Sequence, residues 1–198
     1  DHRKILVIDG KVAFNGGVNL ADEYINRIVR FGHWKHTAVM LKGPAAKSFA
    51  LMFLQMWHLT EREQAYDRYL NVQMPETQGS GCVVPFADCP LDSDKLGERV
   101  YLDILNRAKR YVYIMTPYLI LDHEMITALG LAAKKGVDVR LILPHIPDKW
   151  YAHSTAWSYY RELLESKVKI FEYTPGFIHA KNFIADDSIS VIGTINLD

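Results

Sequence analysis

The chain has 198 residues, 49% of them apolar and 23% charged, which excludes a disordered or collagen-like polymer and is long enough for an ordinary buried core. Its 23 lysines and arginines balance 23 aspartates and glutamates, so there is no basic excess to hold a nucleic-acid backbone by charge alone. Cys82 and Cys89 are too few for a disulfide framework or a four-thiolate zinc site and read as free thiols, with a single bridge between them as the alternative.

In chain order, residues 4–9 (KILVID) are rich in β-formers, Asp9-Gly10 is a hairpin-turn pair, and 12–14 return as a second strand ending at Gly16-Gly17. Residues 19–26 predict a short helix and 36–41 a strand. Gly43-Pro44 open an amphipathic helix to about 59, with Phe49, Phe53, Met56 and Trp57 at helical spacing as a core stripe. The best apolar run, 49–57, is far short of the ~20 residues that span a membrane. After a charged stretch at 61–68, residues 71–81 are polar with proline and glycine. They mark a domain boundary dividing the chain into 1–75 and 76–198. Beyond it come a strand at 82–86, a helix at 96–109, a strand at 111–115 and a helix at 124–135 stopped by Gly136. A strand at 137–143, a helix at 152–166, a strand at 168–173, and a second hairpin (177–185, 188–192) around Asp186-Asp187 follow. This alternation predicts an α/β fold with a mostly parallel sheet and antiparallel hairpin strands. Trp150, Tyr151, Trp157, Tyr159 and Tyr160 read first as the packing of one helix and second as a membrane-boundary surface.

The two hairpins are copies. His2-Arg3-Lys4 through Asp9, then Gly16-Gly17-Val18-Asn19, recurs as His179-Ala180-Lys181 through Asp186, then Gly193-Thr194-Ile195-Asn196. Both fit H-x-K-x4-D-x6-G-[GT]-x-N. Strand residues two apart share a face, so His2 with Lys4 and His179 with Lys181 project together. The returning strand brings glycine and asparagine beside them. Two such hairpins offer two imidazoles, two ammonium groups and two carboxamides. That set suits a phosphodiester: a nucleophile, a general acid, and donors for the phosphoryl oxygens, with no acidic metal-ligand cluster required.

On these residues the sequence resembles the phospholipase D superfamily, with both copies of its HKD motif, and looks most like the bacterial cardiolipin synthase branch. FNGGVNLADEY (14–24), LKGPAAKSFALMFLQMW (41–57), TPYLI (116–120), AAKKGVDVRLILPHIPDK (132–149) and YTPGFIHAKNFIADDSISVIGTINLD (173–198) carry the branch resemblance. It implies two similar α/β halves, each a mixed, mostly parallel sheet flanked by helices, meeting at one active site. The chain would then hold the tail of the first half (1–75) and a nearly complete second half (76–198), as a piece truncated at both ends. The implied reaction is phosphatidyl transfer through a phosphohistidine, without metal or cofactor. Two phosphatidylglycerol molecules give cardiolipin and glycerol.

The resemblance assigns His2, Lys4, Asp9, His179, Lys181 and Asp186 to the catalytic set, with His2 as nucleophile, and Gly17, Asn19, Thr194 and Asn196 to substrate binding. Asp9 and Asp186 suit support of the hairpins and the charged site better than proton chemistry. The implied partners are phosphatidylglycerol and anionic membrane lipids, with no nucleic acid, and a homodimer if pieces exchange. The parent protein would work at the bacterial cytoplasmic membrane, and this piece would be soluble. Rival readings are another phospholipase D-type phosphodiesterase (a phospholipase or nuclease) and a catalytically inert piece. Two departures stand out. Gly17 replaces a common serine, and His36 replaces a common aspartate and receives no role. Asp22 and Glu23 are the candidates to orient the first motif's imidazole, and the second motif has none. Residues 1–75 are expected on the 82–198 sheet, in the place of the second half's missing tail. His2 and His179 then need not face one another.

Overall fold

The first hairpin forms at the turn pair, with Asp9 and Gly10 both at positive φ (50° and 63°) between β1 (Ile5–Ile8) and β2 (Val12–Gly16). The structure, a computed structural model, describes residues 2–61, 66–74, 76, 79, 81–89 and 93–198. The expected helix at 19–26 is a single 3-10 turn, Asp22–Ile25, closed by Asn26 at φ 57°. The expected strand at 36–41 is β4 (Ala38–Lys42), preceded by an unexpected short strand, β3 (His33–Lys35), with His36 and Thr37 between them. β4 pairs antiparallel with β2, giving the sheet order β1-β2-β4. Helix α1 (Ala45–His58) covers one face, where Ala13, Ala46 and Phe49 pack with Ile5, Val7, Leu41 and Met52. Three strands are too narrow to cover the whole apolar stripe. Phe53 and Trp57, expected in the core, are exposed and stack on each other at 5.8 Å. A four-residue helix, α2 (Asp67–Leu70), follows. The middle of the charged stretch, 62–65, and parts of 71–81 lie outside the described residues.

Residues 82–86 form no strand. Val83 and Val84 are exposed, and nothing among the described residues pairs with them. From there the expected alternation holds: α3 (Leu96–Arg107), β5 (Tyr111–Met115), α4 (His123–Lys134), β6 (Asp138–Pro144), α5 (Trp150–Glu165), β7 (Lys169–Tyr173), β8 (Gly176–Ile178), β9 (Asn182–Ala185) and β10 (Ile189–Ile192). The five-stranded sheet runs β10-β9-β5-β6-β7, parallel from β5 to β7 and antiparallel at the hairpin. Val112, Ile114, Val139, Leu141 and Phe183 point to one face, into a core completed by α3, α4 and α5. Each fully buried side chain of this size stabilises by roughly 1.5–3 kcal/mol. The opposite face carries Tyr113, Asp138, Arg140 and Lys169, tied together through the Asp138 carboxylate. The aromatic group of α5 divides. Tyr159 and Tyr160 pack on the core, whereas Trp150, Tyr151 and Trp157 are exposed. Both cysteines are free thiols, and no helix among the described residues is long and apolar enough to cross a membrane.

A two-stranded parallel pair, β3 with β8, joins the two sheets, placing Trp34 against Phe177 at 4.9 Å. A side chain at Gly176 would sit 2.3 Å from the His33 nitrogen, so only glycine permits this approach. The expected placement of 1–75 is corrected here. By analogy with β2 and β4, the place beside β10 is the vacant one. β4 instead stays with its own β2, whose backbone groups it satisfies, and β10 remains a sheet edge.

Candidate active site

The two His-x-Lys triplets lie just ahead of β1 and β9 rather than within them, and each folds in the same way. Lys4 Nζ donates to the His2 carbonyl at 2.6 Å, and Lys181 Nζ to the His179 carbonyl at 2.8 Å. The strand registers repeat too. Ile5 faces Asn15 in the first copy, and Asn182 faces Ile192 in the second, each position displaced by 177 residues. Asn15 Nδ2 donates to the carbonyl of Ile192, its own counterpart in the repeat, at 3.0 Å. The two hairpins therefore touch at equivalent positions of the repeat, and the two motifs come together within a single chain.

His179 is the best-held group. It is buried, its backbone N–H bonds the Lys35 carbonyl, and its Nδ1 lies 2.8 Å from the carbonyl of Gly17 in the other motif. A carbonyl only accepts, so Nδ1 carries the proton and Nε2 is left for chemistry. Gly17 thus meets the His179 ring through its carbonyl, and its own N–H donates to Thr37 O at 3.3 Å. A Cβ at position 17 would fall 2.7 Å from the His179 carbonyl, which explains glycine where a serine was expected. The carboxylates proposed for the first motif's imidazole lie elsewhere than on the His179 ring. Glu23 pairs with Arg30 at 3.7 Å, and Asp22 is exposed.

Around His179 stand Tyr24 (5.1 Å, edge-on), His36 (5.8 Å), Trp34 and Phe177 (both 6.1 Å). Burial, then Lys181, pushes His179 down to about 3, and burial with Lys181 and His33 pushes His36 down to about 4. Lys181 is itself pushed down to about 7 by burial and the Lys4 charge, with Asp198 and Asp148 opposing. Burial also lowers Lys4. His2, which is exposed, is lowered by desolvation, Lys4 and Lys181, so the second motif's cation acts on the first motif's imidazole. The site is short of negative charge, and an entering anion restores protons to it.

Of the other expected residues, Asn19 Nδ2 donates to Tyr24 Oη at 2.6 Å, behind the His179 ring. Asn196 keeps a buried, unpartnered Oδ1, and Thr194 is half-buried just after β10. Asp9 and Asp186 lie apart from the histidines and lysines. They sit at the far turns, about 13 Å along four-residue strands from the His-Lys ends. Asp186 accepts from the backbone N–H of Lys109, Arg110 and Tyr111 at 2.7–2.9 Å and fastens the hairpin to β5. Sequence reasoning assigned no role to Asn15, Tyr24, Trp34, His36 or Thr37. The repeat could have exposed Asn15, since the returning strand's last residues come back to the histidine. Both nitrogens of His36 are buried without a partner, and no pattern in HWKHT signals that.

Two HKD hairpins in contact, each in a sheet packed with helices, define a phospholipase D-type structure. Residues 101–198 match the family described as "Cardiolipin synthase, PLD-like domain". A phosphatidylserine synthase from Haemophilus influenzae Rd KW20 aligns over 94% of this chain and 52% of its own, with a TM-score of 0.61 and 13% identity, which shows the shared fold. The chain belongs to the phospholipase D superfamily. Within it, the cardiolipin synthase of Alkalihalophilus pseudofirmus is 39% identical over 100% of this chain and 40% of its own length. A Streptococcus mutans protein described as uncharacterized is 61% identical over 100% of this chain and 43% of its own. The chain thus spans about two fifths of the curated relatives it matches.

Proposed function

We propose that this chain carries the two facing motifs of a phosphatidyltransferase that makes cardiolipin and glycerol from two molecules of phosphatidylglycerol. In this reading 1–75 is the end of the first phospholipase D-like half and 76–198 the second half. One imidazole attacks phosphorus through Nε2 and forms a P–N bond while the P–O bond to the departing glycerol breaks. The other imidazole gives that alkoxide its proton. It then takes a proton from a hydroxyl of the second phosphatidylglycerol as that oxygen attacks phosphorus and the P–N bond breaks. Lys4 and Lys181, each with one N–H on its own motif's histidine carbonyl, direct the remaining donors to the phosphoryl oxygens, joined by Asn19 and Asn196. The observation that carries the reading is the bond from His179 Nδ1 to Gly17 O, by which one motif orients the imidazole of the other.

The test uses the longer protein, phosphatidylglycerol vesicles and a chelator. Cardiolipin and glycerol should form in equal amounts. An acid-labile phosphoryl adduct, trapped by quenching and mapped by mass spectrometry, should lie on His2 or His179. Product formation with no adduct on either histidine rejects the mechanism.

A further inference from the structure

The segment between the first motif and β3 carries large aliphatic side chains on the outside. Residues 20–31 (LADEYINRIVRF) leave from Asn19 and return at His33. Leu20 is fully exposed, Val29 is 86% exposed, and Ile25 and Ile28 are each more than half exposed. The segment is fastened at its base. Asn26 Nδ2 donates to Trp34 O at 3.2 Å, Trp34 N donates to Asn26 Oδ1 at 2.8 Å, and Trp34 Nε1 donates to the Arg30 carbonyl. Its two aromatic side chains turn inward, Phe31 to Phe177 at 6.4 Å and Tyr24 to the His179 ring at 5.1 Å. Exposed aliphatics held this firmly mark an interaction surface. Cations stand among them. Arg30 pairs with Glu23 at 3.7 Å, but Arg27 and Lys35 are exposed and form no ion pair among the described residues. Asp22 is the one exposed carboxylate from 20 to 35. Aliphatic side chains beside unpaired cations fit an anionic bilayer, where the first enter the acyl boundary and the second meet headgroup phosphates. Position argues for a bilayer over a protein partner. Tyr24 stands against the reacting imidazole, so a protein seated on this segment would crowd the site, whereas a bilayer there is the source of the phosphodiester.

We propose that residues 20–31 dock on an anionic lipid bilayer and bring the two motifs to the level of the headgroups. The proposal rests on the phosphatidyl-transfer reading above and adds the surface by which the site reaches its substrate.

Flotation of the wild-type chain with vesicles of equal phosphatidylglycerol and phosphatidylcholine should show binding that pure phosphatidylcholine vesicles lack. Backbone amides of 20–31 should be protected from hydrogen exchange only when those vesicles are present, a readout that needs no variant to fold. Leu20→Ser combined with Val29→Ser should weaken binding about tenfold. Arg27→Gln should weaken it less and reduce its dependence on phosphatidylglycerol. Phe53→Ser, which removes an exposed ring from α1, should leave it intact. In the longer protein, the double variant should lose most turnover of vesicle phosphatidylglycerol and keep that of a short-chain phosphatidylglycerol supplied below its micelle concentration. Three results would each overturn the docking surface and leave the transfer reading standing: undiminished binding by the double variant, loss of binding through Phe53→Ser alone, or protection of 20–31 in the longer protein without vesicles, which would mean that another part of the chain covers it. Docking through 20–31 with no turnover of either lipid form overturns the transfer reading and leaves the surface.

Discussion

The two hairpins share a motif, a register and a lysine latch, yet they are covered on opposite faces. In the first, α1 lies over Ile5 and Val7, while Leu6 and Ile8 on the other face are 56% and 46% exposed. In the second, the counterparts of Leu6 and Ile8 are Phe183 and Ala185, which are 0% and 3% exposed beneath α3 and α4. Phe183 stacks on Tyr101 at 4.7 Å. Placed on one another, the copies describe a hairpin with helices on both faces, of which each keeps one. A chemical motif therefore does not specify its own support. The same H-x-K-x4-D hairpin is a core element in one place and a half-bare ribbon in the other, and the imidazole on the covered copy is the buried one.

The largest effect should erase the contrast. Whatever their burial, His2→Ala and His179→Ala should each cut phosphatidyl transfer by the longer protein on the order of 10²–10⁴-fold, because the chemistry needs both. Cardiolipin formation from vesicles measures this, and a near-normal rate in either variant breaks the equivalence.

Stability should show the contrast most clearly. Phe183→Ala should cost about 3–5 kcal/mol in urea unfolding of this chain. Its counterpart Leu6→Ala should stay within about 0.5 kcal/mol. Similar losses would mean that the first hairpin is covered in solution.

The lysines come next. Lys181 is 4% exposed, and its folded pKa of about 7 lies below the ordinary 10.5. Between those values the unfolded chain holds a proton that the folded chain has shed, so stability rises with pH across that window. Lys181→Met should therefore stabilise by roughly 1–4 kcal/mol below pH 7, with the gain fading by pH 10.5. Lys4→Met should change little. Urea midpoints at pH 6 and pH 10 decide, and a gain independent of pH would assign it to packing alone.

The histidines work in the same direction, in a more acidic window. With His179 at about 3 and His36 at about 4 against an ordinary 6.5, stability is full above 6.5 and should be lost as pH falls toward 4. His36→Phe should flatten part of that slope, and an unchanged acid limb would remove His36 as a contributor. The smallest effect separates the two turns. Asp186→Ala, which loses three N–H bonds, should cost about 1–2 kcal/mol, and the exposed Asp9→Ala should cost almost nothing.

Much of this was legible in the residues. The repeat, both hairpins, the strand–helix alternation after 95 and both lysine-histidine pairs follow from local pattern and spacing, and each appears within a few residues of its expected place. What was not legible depends on partners distant in sequence. Residues 82–86 have the composition of a strand but no neighbour to pair with. Phe53 and Trp57 have helical spacing but no second surface to bury them. Residues 33–35 read as nothing in particular until 176–178 arrive beside them. The residues offered a carboxylate, Asp22 or Glu23, only for the first motif's imidazole, and no orienting group for His179. The backbone carbonyl that does the work leaves no trace in residue type except the glycine that lets it come close.

That pairing of β3 with β8 also sets an order of events for folding. The first hairpin closes a loop of about ten residues, whereas β3 and β8 join segments roughly 140 residues apart. On a logarithmic loop-closure law the second closure costs about 2 kcal/mol more in chain entropy, and it cannot begin until the β8 residues have left the ribosome. Each sheet can condense earlier around its own local contacts. The imidazole of His179 meets Gly17 only after that late closure, so a nascent chain passes through a stage in which its secondary structure is largely present and its reactive centre is not.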